Sequence, residues 1–151
     1  MRKWITISVV FCLMIVLLAA PVQAEKGANS RTAHVNIFDI QNKKILSKVP
    51  VDGNTEKEAN HILQSLDSIV DDVTIGKNQQ IAVRIPLQEP VKVHHRAFEN
   101  QVKTMILFAS KGEPPYLLLF TSERKPMIFT FKHDVKDFFN KLGIYEMLEK
   151  M

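Results

Sequence analysis

VKTMILFASKGEPPYLLLFTSERKPMIFTF, residues 102–131, is the stretch that decides the fold. It holds three short apolar runs, Val102 to Ala109, Tyr116 to Phe120 and Met127 to Phe131. Lys111-Gly112-Glu113-Pro114-Pro115 and Ser122-Glu123-Arg124-Lys125-Pro126 separate them, and both are turn-forming segments. Runs of this length between such breaks read as strands, and short polar turns between successive strands give an antiparallel meander. The first two runs are apolar at nearly every position, which is the pattern of strands covered on both faces.

Upstream, Ile81, Val83, Ile85 and Leu87 alternate with Ala82, Arg84, Pro86 and Gln88, a half-buried strand. Pro86 offers no N–H to a ladder, so the strand is expected at an edge or to stop there. Glu89-Pro90 then reads as a turn into a short strand in which Val91, Val93 and His95 oppose Lys92, His94 and Arg96. Further back, Ala59, Ile62, Leu63, Leu66, Ile69 and Val70 recur at helical spacing, predicting one long helix over Thr55 to Val70. Thr55 and Glu58 have the spacing of a capping box, and Glu56 and Glu58 place negative charge in the first turn. Before it, the segments around Val35 to Ile40 and Ile45 to Val49 flank Gln41-Asn42-Lys43-Lys44 and read as a hairpin. After the meander, Asp134 is placed to cap a final helix carrying Val135, Phe138, Phe139 and Leu142, which Gly143 closes before a last turn with Tyr145, Met147 and Leu148. The expected architecture is α+β: a mostly antiparallel sheet of about five to seven strands, with one long helix and one C-terminal helix packed on one face.

The segment MRKWITISVVFCLMIVLLAAPVQA, residues 1–24, has a positive start, an uncharged apolar run and a helix break before Val22-x-Ala24. That is the layout of an export signal cleaved after Ala24. The expected organisation is therefore a signal peptide over 1–24, a flexible leader over 25–32 and a single domain over 33–151. An uncleaved N-terminal membrane anchor is the alternative, since Trp4 to Val22 approaches the length of a spanning helix. Either way the rest lies outside the cell, secreted or at the cell surface. Cys12, the one cysteine of the chain, falls inside this segment, and its apolar surroundings do not fit lipid attachment. Without it, disulfides, thiolate metal sites and cysteine nucleophiles are excluded. Arg2 and Lys3 are two of the 20 basic residues, so the formal charge of +4 becomes +2 without segment 1–24.

Few motifs carry chemistry. Residues 25–151 contain no G-x-S-x-G elbow, no P-loop and no G-x-G-x-x-G, and the serines Ser110 and Ser122 sit in turn segments. Among the histidines, the neighbours His94 and His95 point to opposite faces of a strand, and His34, His61 and His133 show no i, i+4 metal spacing. No metal and no cofactor is expected. Asp67, Asp71 and Asp72 cluster at the expected helix exit without an EF-hand frame, and read as a solvated helix end. Phe120, Phe129, Phe131, Phe138 and Phe139 form a set that reads as core.

One constellation remains. If Ile81 to Leu87 and Val91 to His95 pair as a hairpin with apolar residues inward, Arg84, Lys92, His94 and Arg96 share the outer face. Such a basic stripe suits an anionic cell-wall polymer, a lipid head group or an acidic protein. No aromatic residues are interleaved with these charges, so nucleic acid is not an expected partner.

The leader, Arg84-Ile85-Pro86-Leu87 followed by Pro90-Val91-Lys92-Val93, and Glu113-Pro114-Pro115-Tyr116-Leu117-Leu118-Leu119-Phe120 together resemble small exported proteins of unknown function from Gram-positive, endospore-forming bacteria. The resemblance implies the compartment and no functional residue. The expectation is an exported, non-catalytic domain at the bacterial cell surface that binds an anionic partner. Two alternatives stand beside it. One is a small extracellular enzyme or enzyme inhibitor using carboxylates such as Asp67, Asp71 and Glu113; the other is a carrier of an apolar ligand between helix and sheet.

Overall fold

The fold rests on one row of side chains. Ile37, Val83, Leu107, Leu117 and Phe129 stand opposite one another on five neighbouring strands, and every one is fully buried. The computed structural model describes residues 32–72 and 77–151. The expected signal segment 1–24 and all of the expected flexible leader except Thr32 lie outside them. The strands are β1 (His34–Asp39), β2 (Lys44–Pro50), β3 (Leu66–Ile69), β4 (Ile81–His95), β5 (Phe98–Ser110), β6 (Glu113–Phe120) and β7 (Pro126–Phe131). They form one sheet in the order β2-β1-β4-β5-β6-β7-β3, with every pairing antiparallel. Three short helices, α1 (Gly53–Gln64), α2 (Lys136–Lys141) and α3 (Ile144–Glu149), complete an α+β architecture. No described helix is long and apolar enough to cross a membrane.

The main core lies on the face defined by that row. Ala59, Ile62 and Leu63 of α1 and Phe138, Phe139, Ile144 and Leu148 of α2 and α3 pack into it. Full burial of each large apolar side chain is worth about 1.5–3 kcal/mol, against about 0–1 kcal/mol for an exposed ion pair, so this layer holds the fold. A second, smaller cluster of Phe108, Leu118 and Ile128 occupies the opposite face, joined by Ala82, Ile106 and Tyr116. Leu107 to Ala109 and Leu117 to Leu119 are therefore buried without interruption, as their unbroken apolar runs predict.

Four expectations are corrected. The long helix does not reach Val70: α1 has 12 residues and ends at Gln64. Ser65 ends it, its N–H and hydroxyl both bonding to the Ile62 carbonyl at 3.1 Å. Leu66 and Ile69 then pair with Phe131 and Phe129, since sheet pairing at the free edge of β7 outweighs a helical spacing they also satisfy. Nor do Thr55 and Glu58 make a capping box. Asp52 is the N-cap, accepting from the N–H and the hydroxyl of Thr55 at 2.8 Å each, which leaves Glu58 free to reach another element.

The third correction concerns the basic stripe. Ile81 to Leu87 and Val91 to His95 are not two paired strands but one strand, β4, with Glu89-Pro90 inside it. Pro86 opposes Thr104 and Val91 opposes Val102, so Leu87 to Pro90 face only Lys103 across a wide bulge. Pro86 and Pro90 are tolerated there because β1 pairs with β4 only as far as Arg84. Beyond the bulge the β4–β5 hairpin bends along α1. Gln88 donates its N–H to Glu56 Oε1 (2.9 Å), Gln64 Nε2 donates to the Lys92 carbonyl (3.2 Å), and His95 Nε2 donates to the Asp67 carbonyl (3.1 Å). At the C-terminus the expected single helix is two, because Gly143 sits at φ 71° and redirects the chain between α2 and α3.

Candidate functional site

The even-numbered residues of β4 form the first candidate. Ile81, Val83, Ile85, Leu87, Val91 and Val93 all pack on the main core, so Arg84, Lys92 and His94 point away from it. All three are exposed, as is Arg96 in the turn that follows. Arg84, Lys92 and His94 are strung along a single strand rather than gathered on two, and Arg96 lies beyond its end. Arg84 opposes Asn36 and Ile106, with exposed Lys48 one strand further on. Lys92 opposes Gln101, and His94 opposes Glu99, whose carboxylate lies 3.8 Å from His94 Nδ1. Lys103, exposed opposite the bulge, adds a cation that the sequence pattern does not single out. With the bulge allowed for, Arg84 to Arg96 spans roughly 30 Å.

The two adjacent histidines do face opposite ways. His95 turns inward, where its ring packs edge-on against Phe129 with centroids 5.4 Å apart. Its Nε2 donates to Asp67 while its Nδ1 accepts from the Ala97 N–H at 3.2 Å, which fixes the tautomer. It is a structural residue of the hairpin tip.

A second cluster lies where α1 meets the turn after β7. Glu58 and His61 are three residues apart on α1 and so share a helix face. His133 reaches them from the other element: its Nε2 donates to Glu58 Oε2 at 2.7 Å, and its ring meets that of His61 edge-to-face at 5.1 Å. Ser65 holds this junction. Its hydroxyl accepts the His133 N–H at 3.0 Å, and its carbonyl accepts the Lys132 N–H at 2.9 Å. Glu58 and His133 are half-buried, and His61 is exposed. One nitrogen from each imidazole and a carboxylate oxygen lie within 4.8 Å of one another. Spacing among histidines alone misses this group. The legible half is Glu-x-x-His on one helix face; the other half depends on where β7 ends.

The carboxylates of the enzyme reading are spread out. Asp67 on β3 pairs with Lys132 at 3.2 Å, Asp71 and Asp72 are exposed beyond β3, and Glu113 opposes Ser110 at the start of β6. β7 lies between the strands of Asp67 and Glu113. The phenylalanines of the carrier reading divide: Phe129, Phe138 and Phe139 are core, whereas Phe120 is 49% exposed. A groove of about 330 Å³ between the β1–β2 turn and α3 is lined by Asp39, Gln41, Lys44 and Lys150 with Leu46 and Met147, and by no phenylalanine.

Two carboxyls are held below their ordinary range, Asp52 well below it. For Asp39 the main cause is the hydrogen bonds from the Asn42 backbone and side-chain amides, at 2.9 and 2.8 Å. For Asp52 it is first the bond from Lys141 Nζ at 2.7 Å, then those from Thr55. Both are structural ties.

No protein-family model matches the chain, and neither does any curated protein or solved structure.

Proposed function

We propose that the chain is an exported, non-catalytic domain of the bacterial cell surface that binds an anionic wall polymer along the outer face of the β4–β5 hairpin. The observation that carries this reading is the alternation of β4. Arg84, Lys92 and His94 are exposed and alternate with residues of the main core, and exposed Arg96 in the following turn and Lys103 on β5 add further cations to the hairpin. A line of cations roughly 30 Å long suits a polymer with repeating negative charge better than a compact ligand, because each charge meets its own counterpart. The compartment rests on the apolar leader with its Arg2-Lys3 start.

The test is co-sedimentation of the full chain with purified anionic wall material at low and at moderate salt. Retention should be strong at low salt and fall as salt screens the charges. Replacing Arg84, Lys92, His94 and Arg96 together by Ser should remove most of the low-salt retention. Lys125→Ser, on the β6–β7 turn, should not change it. Unchanged retention of the fourfold variant sinks the proposal.

A further inference from the structure

We infer that Glu58, His61 and His133 form a binding site for a divalent transition-metal ion of the Zn²⁺ class, a role separate from the basic face of β4. Two imidazole nitrogens and one carboxylate oxygen are a donor set that borderline ions such as Zn²⁺ take readily, with a fourth position left for solvent. Mg²⁺ and Ca²⁺ favour all-oxygen surroundings, so the two imidazoles select against them. Exposure of His61 leaves the solvent side of the cluster open for that fourth ligand.

The geometry is close to what such an ion needs. Metal–ligand bonds near 2.0–2.2 Å put tetrahedral donors about 3.4 Å apart. The Glu58–His133 contact is shorter than this, at 2.7 Å, because a hydrogen now lies between the two atoms. An ion replaces that hydrogen: the Nε2 proton exchanges through solvent, the neutral ring takes the tautomer protonated on Nδ1 and coordinates through Nε2, and the carboxylate oxygen turns its lone pair to the metal. The remaining separations, all within 4.8 Å, close by rotation of the His61 side chain, which among the described residues has only the ring contact with His133 to hold it.

Two features make this more than a chance meeting of surface groups. Glu58 and His61 sit one helical turn apart, so α1 sets their spacing. The backbone N–H groups of the third donor and of Lys132 before it are both fastened to Ser65 at the end of the same helix, so the donors come from two elements that cannot drift apart independently. A plain Glu58–His133 ion pair would need neither His61 nor its position over the His133 ring.

That difference supplies the test, a titration of the purified full chain with Zn²⁺, followed by calorimetry and by the visible spectrum of the Co²⁺ form. One equivalent should bind with micromolar or tighter affinity, and Co²⁺ should give the strong bands of low-coordinate cobalt with nitrogen ligands. His61→Ala breaks no hydrogen bond, so its metal-free melting should match the parent while its Zn²⁺ affinity falls roughly tenfold or more. Glu58→Gln and His133→Ala should also lose affinity, and His34→Ala and His94→Ala should keep it. The inference is overturned if no stoichiometric binding occurs, if His61→Ala binds as tightly as the parent, or if His34→Ala or His94→Ala abolishes binding instead.

Discussion

Asp52 concentrates several roles in one carboxylate. It caps α1 through Thr55 and fastens that helix start to α2 through Lys141, 89 residues away. Because Lys141 and Thr55 bind the ionised form, its folded pKa is depressed, and that of Asp39 is depressed by Asn42. A depressed acid contributes stability that is complete above its unfolded value, about 3.9, and is lost as pH falls through the lower folded value. The urea midpoint should therefore hold steady above about pH 5 and fall on acidification below about pH 4. Asp52→Asn keeps a competent cap but removes the charge, so its midpoint should be lower at pH 7 and its acid limb shallower. Parallel acid limbs for parent and variant would contradict this role. Sequence alone pointed to Thr55 instead, since Thr-x-x-Glu is a sound capping pattern. What it does not disclose is that Glu58 is drawn away to His133, a residue 75 positions later.

Among the elements, the hydrophobic pattern reports faces better than boundaries. The meander of β5, β6 and β7, the first hairpin and the Ala59-Ile62-Leu63 stripe of α1 are all legible, because each has a clear period and a turn signal beside it. Leu66 and Ile69 are not, because a spacing of three serves a helix as well as a short strand with an irregular register. Glu89-Pro90 misleads for a similar reason. A turn signal and a bulge use the same residues, and only the register of β5 shows which is present. The basic face was legible as a face, but its shape required that register too. The α2–α3 joint depends on Gly143, where φ is 71° and an added Cβ meets nothing closer than Met147 Cε at 3.9 Å. Space is not the constraint there; the left-handed backbone is. Gly143→Ala should cost about 1–2 kcal/mol by chemical denaturation, and a neutral result would show that the joint relaxes freely.

Across the whole molecule, stability is expected to follow the single row of side chains at the sheet centre. Phe129 is fully buried, with Phe98 and His95 against its ring at 5.8 and 5.4 Å. Phe129→Ala should destabilise by about 3–5 kcal/mol in urea melts. Ile45, 51% exposed on the edge strand β2, should tolerate Ser within about 0.5 kcal/mol. Equal losses at the two sites would mean that the core is not confined as described. The strand order carries one more consequence, which concerns time. β3 is an early segment whose only neighbour in the sheet, among the described residues, is β7, and Ser68 and Thr130, bonded across that pair, are 62 residues apart. As the chain is synthesised, α1 and β3 emerge long before the strand that completes them. Closure therefore waits for β7, and this long-range pairing slows folding. A nascent chain stopped before Pro126 holds β3 without its partner, so the sheet becomes whole only once β7 has emerged.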